Sequence, residues 1–166
     1  MTDQRASDQL LSDWQQASRT IASALEGLTE DDLNLRGGPN GWSIRETMHH
    51  VVESNLVACT IVIAALGTGG CTFDCSWLSP DRAWMERMAY GRGAMAPAIE
   101  VLTASCRYGS ALLRAVPDGL GREIKLLGAP GTEPYSMTLE QMIRLEVEHA
   151  RHHLQEIDEM LKQRPR

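Results

Sequence analysis

Five histidines in 166 residues fall into two short runs, W-S-I-R-E-T-M-H-H at 42–50 and E-H-A-R-H-H-L-Q at 148–155. Imidazole binds metal ions and moves protons near neutral pH, so the question is which of these rings face one another. In a helix each residue advances the direction by about 100°, which stacks His149 and His153 on one face, one turn apart. H-x-x-x-H is the spacing that lets two imidazoles reach one metal ion, although the same spacing also arises by structural coincidence. His152 points elsewhere, among Leu145, Glu148, Glu156 and Glu159, toward solvent.

Glu146 shares the His149/His153 face, one turn earlier. An inward carboxylate is costly unless it is paired, hydrogen-bonded or coordinating, so it is a candidate ligand, base or partner for an imidazole. The plain alternative is an edge position that reaches water. In the first run His49 and His50 point about 100° apart, so one of them joins the pair. The surrounding segment is apolar nearly all round, and spacing alone leaves that choice open.

These residues need rigid elements to hold them, and apolar positions recur at helical spacing in four stretches. The first carries Leu10, Trp14, Ala17, Ile21, Ala24, Leu25 and Leu28, with Ser7 as its expected N-cap and Gly27 near its stop. The second begins at Ser43, where Ser43 and Glu46 form an S-x-x-E capping box, and runs to about Gly67. The third carries Ile99, Leu102, Cys106, Gly109, Leu113 and Val116, with Pro97 in its first turn, where no amide hydrogen is needed. The fourth begins at Thr138, capped with Gln141, with Met137 and Met142 placed as a hydrophobic staple. Ser79-Pro80 is expected to open a short helix in the long connection at 67–93, and 122–127 reads as a short strand. The expected fold is all-α: one four-helix-bundle domain over 1–166, with a long connection between helices 2 and 3 that permits a topology other than up-down-up-down.

Composition narrows the function. The chain is 43% hydrophobic and 23% charged, with 22 acidic against 16 basic side chains and a net charge of −6. That balance and the lack of a Lys/Arg cluster argue against a nucleic-acid partner. The polar N-terminus reads as no secretion signal, and the longest apolar run, Leu56 to Leu66, is short for a bilayer. No membrane role and a cytoplasmic location are therefore expected, with Cys59, Cys71, Cys75 and Cys106 as thiols. Cys71-x-x-x-Cys75 is looser than the C-x-x-C of redox or zinc sites and is expected as free loop cysteines. Trp14 and Trp42 are expected in the core, and Trp77 and Trp84 over the open end of the bundle.

The stretch G-W-S-I-R-E-T-M-H-H-V-V-E-S, with E-H-A-R-H-H-L-Q-E-I near the C-terminus, resembles the DinB/YfiT-like superfamily of metal-binding four-helix bundles. That family has Trp-Ser or Trp-Thr opening its second helix, a histidine eight residues after the Trp, and a histidine pair on its last long helix. The resemblance implies that His50, His149 and His153 are metal ligands and that His49 and His152 do not coordinate. Three neutral imidazoles from two helices suit Zn²⁺ or Ni²⁺ in an open site. Relatives include mycothiol-dependent maleylpyruvate isomerase and bacillithiol transferases, which implies a small-molecule substrate and a low-molecular-weight thiol activated as a thiolate. On that model Glu146 or Glu53 moves a proton, Arg45 or Arg151 meets the thiol's carboxylates, and the chain is a possible homodimer. A metal-bound hydroxide attacking an amide or ester is the close competitor; a non-catalytic metal-binding stress-response protein and a metal-free bundle are the alternatives. The chain departs from the family pattern at H-H-L-Q, where many members have H-H-R-G-Q, and at Glu53-Ser54, where an Asp-Ser pair is common.

Overall fold

The computed structural model describes residues 2–38, 41–129 and 131–164, so the expected domain over 1–166 is described short of both termini. Four long helices dominate: α1 (Thr2–Ala24), α3 (Ile44–Thr68), α5 (Met95–Ala115) and α6 (Leu139–Lys162). Between them lie short helices α2 (Glu30–Leu33) and α4 (Arg82–Arg87), and strands β1 (Cys71–Asp74), β2 (Glu123–Leu127) and β3 (Tyr135–Thr138). The sheet runs β1-β2-β3, parallel in the first pair and antiparallel in the second.

Local chemistry explains most helix ends. At α3, Ser43 Oγ accepts from the Glu46 amide and Glu46 Oε2 accepts from the Ser43 amide at 2.8 Å. Gly69 closes this helix with φ 82°, a left-handed conformation that a side chain would strain. At α6, Thr138 and Gln141 form the same reciprocal cap. Two expected starts move. Ser7 does not cap α1, because Gln4→Asp8 and Gln9→Asp13 side-chain bonds carry the helix through that region from Thr2. Pro80 does not open α4 either; Asp81 does, its carboxylate accepting from the Trp84 amide at 2.7 Å.

The helices form a ring in which α1 neighbours α5 and α6, and α3 neighbours α5 and α6. Consecutive long helices α1 and α3 therefore occupy opposite corners, and the long connections make the bundle other than up-down-up-down. Asn55 on α3 ties the corners together from inside: its Oδ1 accepts from Trp14 Nε1 at 3.0 Å and its Nδ2 donates to Ser105 Oγ on α5. An 18-residue stretch of α3 reaches a mean hydropathy of 1.8, enough by length and composition for a membrane span, which the 11-residue run had understated. Here thirteen of the 25 residues of α3 are buried by the surrounding helices.

The small sheet is the main departure from an all-α chain. β1 and β2 lie against α3, and β3 runs straight into the α6 cap at Thr138. Cys71 and Cys75 are thus on and beside a strand rather than in a loop, both half-buried and free.

Helices α1 and α5 approach closely because Gly109 faces the Trp14 ring; a Cβ there would lie 2.8 Å from Cη2. Gly109→Ala is expected to lower the urea midpoint by an amount equivalent to about 1–3 kcal/mol, the usual cost of overpacking. Gly67→Ala, whose added Cβ meets nothing within 4 Å, serves as the control and should be neutral or mildly stabilising. Equal responses of the two variants would contradict the close approach.

Candidate metal centre

The helix caps fix the rotation and height of α3 and α6, and those two helices carry the site. His50 projects from α3 and His149 and His153 from α6. Their Nε2 atoms converge: His50 to His149 is 3.1 Å and His153 to His149 is 2.9 Å. The rings stand nearly perpendicular, His50 at 87° to both partners, with centroids 4.5–5.2 Å apart. Three nitrogens around a tetrahedral ion at about 2.0–2.1 Å would be spaced by roughly 3.3 Å, close to what is seen.

Protons do not satisfy this arrangement. A neutral imidazole nitrogen has one in-plane hydrogen or one lone pair, yet His149 Nε2 faces two neighbours at hydrogen-bond distance. One N–H···N bond can serve one of those contacts and leaves the other unmet. A cation at the shared point accepts all three lone pairs. His153 is already set for this, since its Nδ1 lies 2.6 Å from Glu156 Oε2. Nδ1–H donating to that carboxylate leaves the Nε2 lone pair facing the centre. Burial, followed by the neighbouring imidazoles, pushes His50 down to about 3. The same causes push His149 down to about 4. Burial also lowers His153, against the pull of Glu156. The rings are therefore neutral at pH 7, the form that binds metal. The donor set fits a divalent ion.

A cleft of about 500 Å³ opens onto this centre, lined by His50, His149 and His152, by Ser54, and by Glu146 and Glu148, with Leu145 on its lip. Glu146 is held by Ser54 Oγ, which donates to its two carboxylate oxygens at 2.9 and 3.1 Å. Burial pushes Glu146 up to about 7. A carboxylate poised there can take or give a proton at neutral pH.

The remaining expected residues separate clearly. His49 turns away from the cluster and stacks on Tyr90 with centroids 5.0 Å apart, and His152 is exposed. Glu53 accepts from Trp84 Nε1 at 3.1 Å, outside the cleft lining. Arg45 is buried, paired with Glu30 and donating to the Gly93 carbonyl, and Arg151 lies 3.8 Å from Asp13. Neither arginine stands at the cleft mouth.

Trp42 is not a core residue. Half-buried, it presents its ring to His50 at 4.8 Å and stacks beside His153 at 6.2 Å. Trp77 is half-exposed beside Trp84 rather than closed over the bundle. Sequence reasoning missed Ser54 as the Glu146 partner and Glu156 as the His153 partner. The signal for the latter was its position three residues after His153. The loop bearing Trp42 is clamped through Glu46, which accepts from Arg36 at 2.9 Å and Arg82 at 2.7 Å, while Arg82 also donates to the Gly41 carbonyl. Burial alone would raise the Glu46 carboxyl, but the Ser43 amide and the two guanidiniums hold it below the usual range.

Comparison with known proteins identifies the family and the fold. The family model described as the DinB superfamily matches residues 13–157. Among solved structures, YfiT from Bacillus subtilis, described as a probable metal-dependent hydrolase with an unusual four-helix bundle topology, superposes with a TM-score of 0.81. The two are 21% identical, and the match covers 95% of this chain and 86% of that one. At that identity the likeness speaks for the fold. No curated protein matches the sequence. With the family model spanning nearly all of the bundle, this chain belongs to the DinB superfamily.

Proposed function

We propose that this protein is a metal-dependent hydrolase acting on a small, non-anionic substrate. The observation that carries this reading is the convergence of three neutral imidazole nitrogens beside a half-buried carboxyl in an open cleft. His50, His149 and His153 would hold the ion, Zn²⁺ or Ni²⁺ by their donor type. When bound, such an ion supplies a Lewis acid that lowers the pKa of a nearby water and polarises a carbonyl.

The chain supplies the rest. Glu156 keeps the proton of His153 on Nδ1, so that the Nε2 lone pair stays available. Glu146 accepts the proton released by the nucleophile at Oε1 or Oε2 and returns it to the leaving group, a role suited to a carboxyl that titrates near neutrality. The Ser54 hydroxyl holds that carboxylate in one orientation. Trp42 covers the imidazoles on one side and limits water access there.

Thiol transfer is less well supported. Low-molecular-weight thiols bearing carboxylates need cationic partners, and the cleft presents Glu146 and Glu148 with no lysine or arginine in its lining among the described residues. YfiT, described as a probable metal-dependent hydrolase, points the same way.

The test uses metal-loaded protein against neutral esters and amides, beginning with 4-nitrophenyl acetate. Hydrolysis should depend on the metal and fall by about 10²-fold or more in Glu146→Gln with the metal content unchanged. Full activity in that variant, or turnover only when mycothiol, bacillithiol, coenzyme A or glutathione is added, would contradict the reading.

A second expectation concerns metal-free protein. A carboxyl whose folded pKa is raised contributes stability that is fully present below its unfolded value near 4.5 and lost as the pH rises through about 7. Glu146→Gln should therefore match the wild type at pH 4.5–5 and exceed it by on the order of 2–3 kcal/mol at pH 8.5. A stability gap that does not change with pH would show that Glu146 is not buried as an acid.

A further inference from the structure

His50, Ser54, Val57/Ala58 and Ile61 follow one another along a single face of α3. Met142, Glu146, His149 and His153 do the same along α6. The two faces meet, with the histidines at one end. At the other end they enclose a second cavity of about 160 Å³, which shares Ser54, Leu145 and Glu146 with the cleft. The body of this cavity is apolar: Val57, Ala58 and Ile61 from α3, Leu126 from β2, Met137 from β3 and Met142 from α6.

Cys75 and Leu78 form the outer wall, and the turn that carries them is fixed to the sheet. The Cys75 amide donates to the Leu127 carbonyl at 2.8 Å, and the Leu78 amide to the Cys75 carbonyl at 3.0 Å. Burial raises the Cys75 thiol, so it stands in the wall as a protonated, weakly polar group rather than a nucleophile. Tyr135 and Leu145, both in the cavity lining, are about half exposed and leave the chamber open to solvent on that side. The small sheet, which the bundle does not need for closure, provides two sides of this cavity.

Building on the hydrolytic reading, we propose that this apolar chamber is the specificity subsite, and that the substrate carries a terminal aryl or branched alkyl group of roughly six carbons, a size set by the likeness to cavities of about 150 Å³ that hold one benzene. The spacing along the helices sets the length of the substrate. From His50 to Val57/Ala58, and from His149 back to Met142, is seven or eight residues, or about 10–12 Å at 1.5 Å per residue. The apolar group therefore sits about 10 Å from the bond being cleaved. The linker between them passes Ser54 and Glu146, where an anion would be repelled.

Alkyl and aryl hydroxamates test this, because the hydroxamate head binds a metal ion while the tail explores the chamber. Isothermal calorimetry on the metal-loaded protein should show 4-phenylbutanohydroxamate binding at least about tenfold more tightly than acetohydroxamate, as burial of a phenyl ring requires. Ala58→Val should reduce that advantage to less than about threefold while leaving acetohydroxamate affinity unchanged. Val57→Phe, from a half-buried position, does the same if Ala58→Val fails to fold. Equal affinity of the two hydroxamates for the wild type, or an undiminished advantage in the filled variants, overturns the chamber and leaves the metal-dependent reading standing. Failure of acetohydroxamate itself to bind removes that reading and the subsite with it.

Discussion

The chemistry proposed for this molecule depends on the single nitrogen His149 Nε2, which stands within 3.1 Å of two other imidazole nitrogens. Such a cluster is unfavourable on its own terms. The three rings are largely removed from water, each resists protonation, and hydrogen bonding between neutral rings can resolve only one of the two contacts. A fold tolerates this when the backbone over-determines it or when a cation offsets the cost. Both conditions suit the present arrangement. Two of the rings are four residues apart on one helix, and the third is brought by a helix packed directly against it.

The surrounding structure follows from holding α3 and α6 in that register. Reciprocal caps at Ser43 and Thr138 fix where each helix begins, and Asn55 ties α3 across the core to Trp14 and Ser105. Glu46 serves twice, capping α3 and anchoring Arg36 and Arg82, so that the loop bearing Trp42 is pinned against the imidazoles. Glu156 keeps His153 in the tautomer that presents Nε2 inward. The same parallel faces that converge at the histidines continue past Ser54 and Glu146 into the apolar chamber. One helix pair thus carries the three imidazoles, the Ser54-bound carboxyl of Glu146 and the lining of the apolar chamber.

The four long helices were readable from apolar periodicity because each stripe is buried in the bundle, and the S-x-x-E and T-x-x-Q caps announced two of their starts. The pairing of His149 with His153 was legible for the same geometric reason. The choice of His50 over His49 was not, since α3 is apolar nearly all round and either ring could have faced α6; only the family resemblance favoured His50. Trp42 is expected in the core as a large apolar ring, whereas here it lies along the histidines. Ser54 and Glu156 were hidden because their roles depend on contacts across helices or on a neighbouring ring. β1 and β3 are four residues each, too short to show alternation, and the T-x-x-D cap of α2 uses aspartate where Glu or Gln is the usual signal.

X-ray absorption spectroscopy on protein purified without a histidine tag tests the central claim most directly. The account predicts one divalent ion per chain with a scattering shell of three imidazole nitrogens at about 2.0–2.1 Å, lost when His149 is replaced by alanine. Protein that takes up no stoichiometric metal, or an ion whose imidazole shell survives His149→Ala, would contradict it.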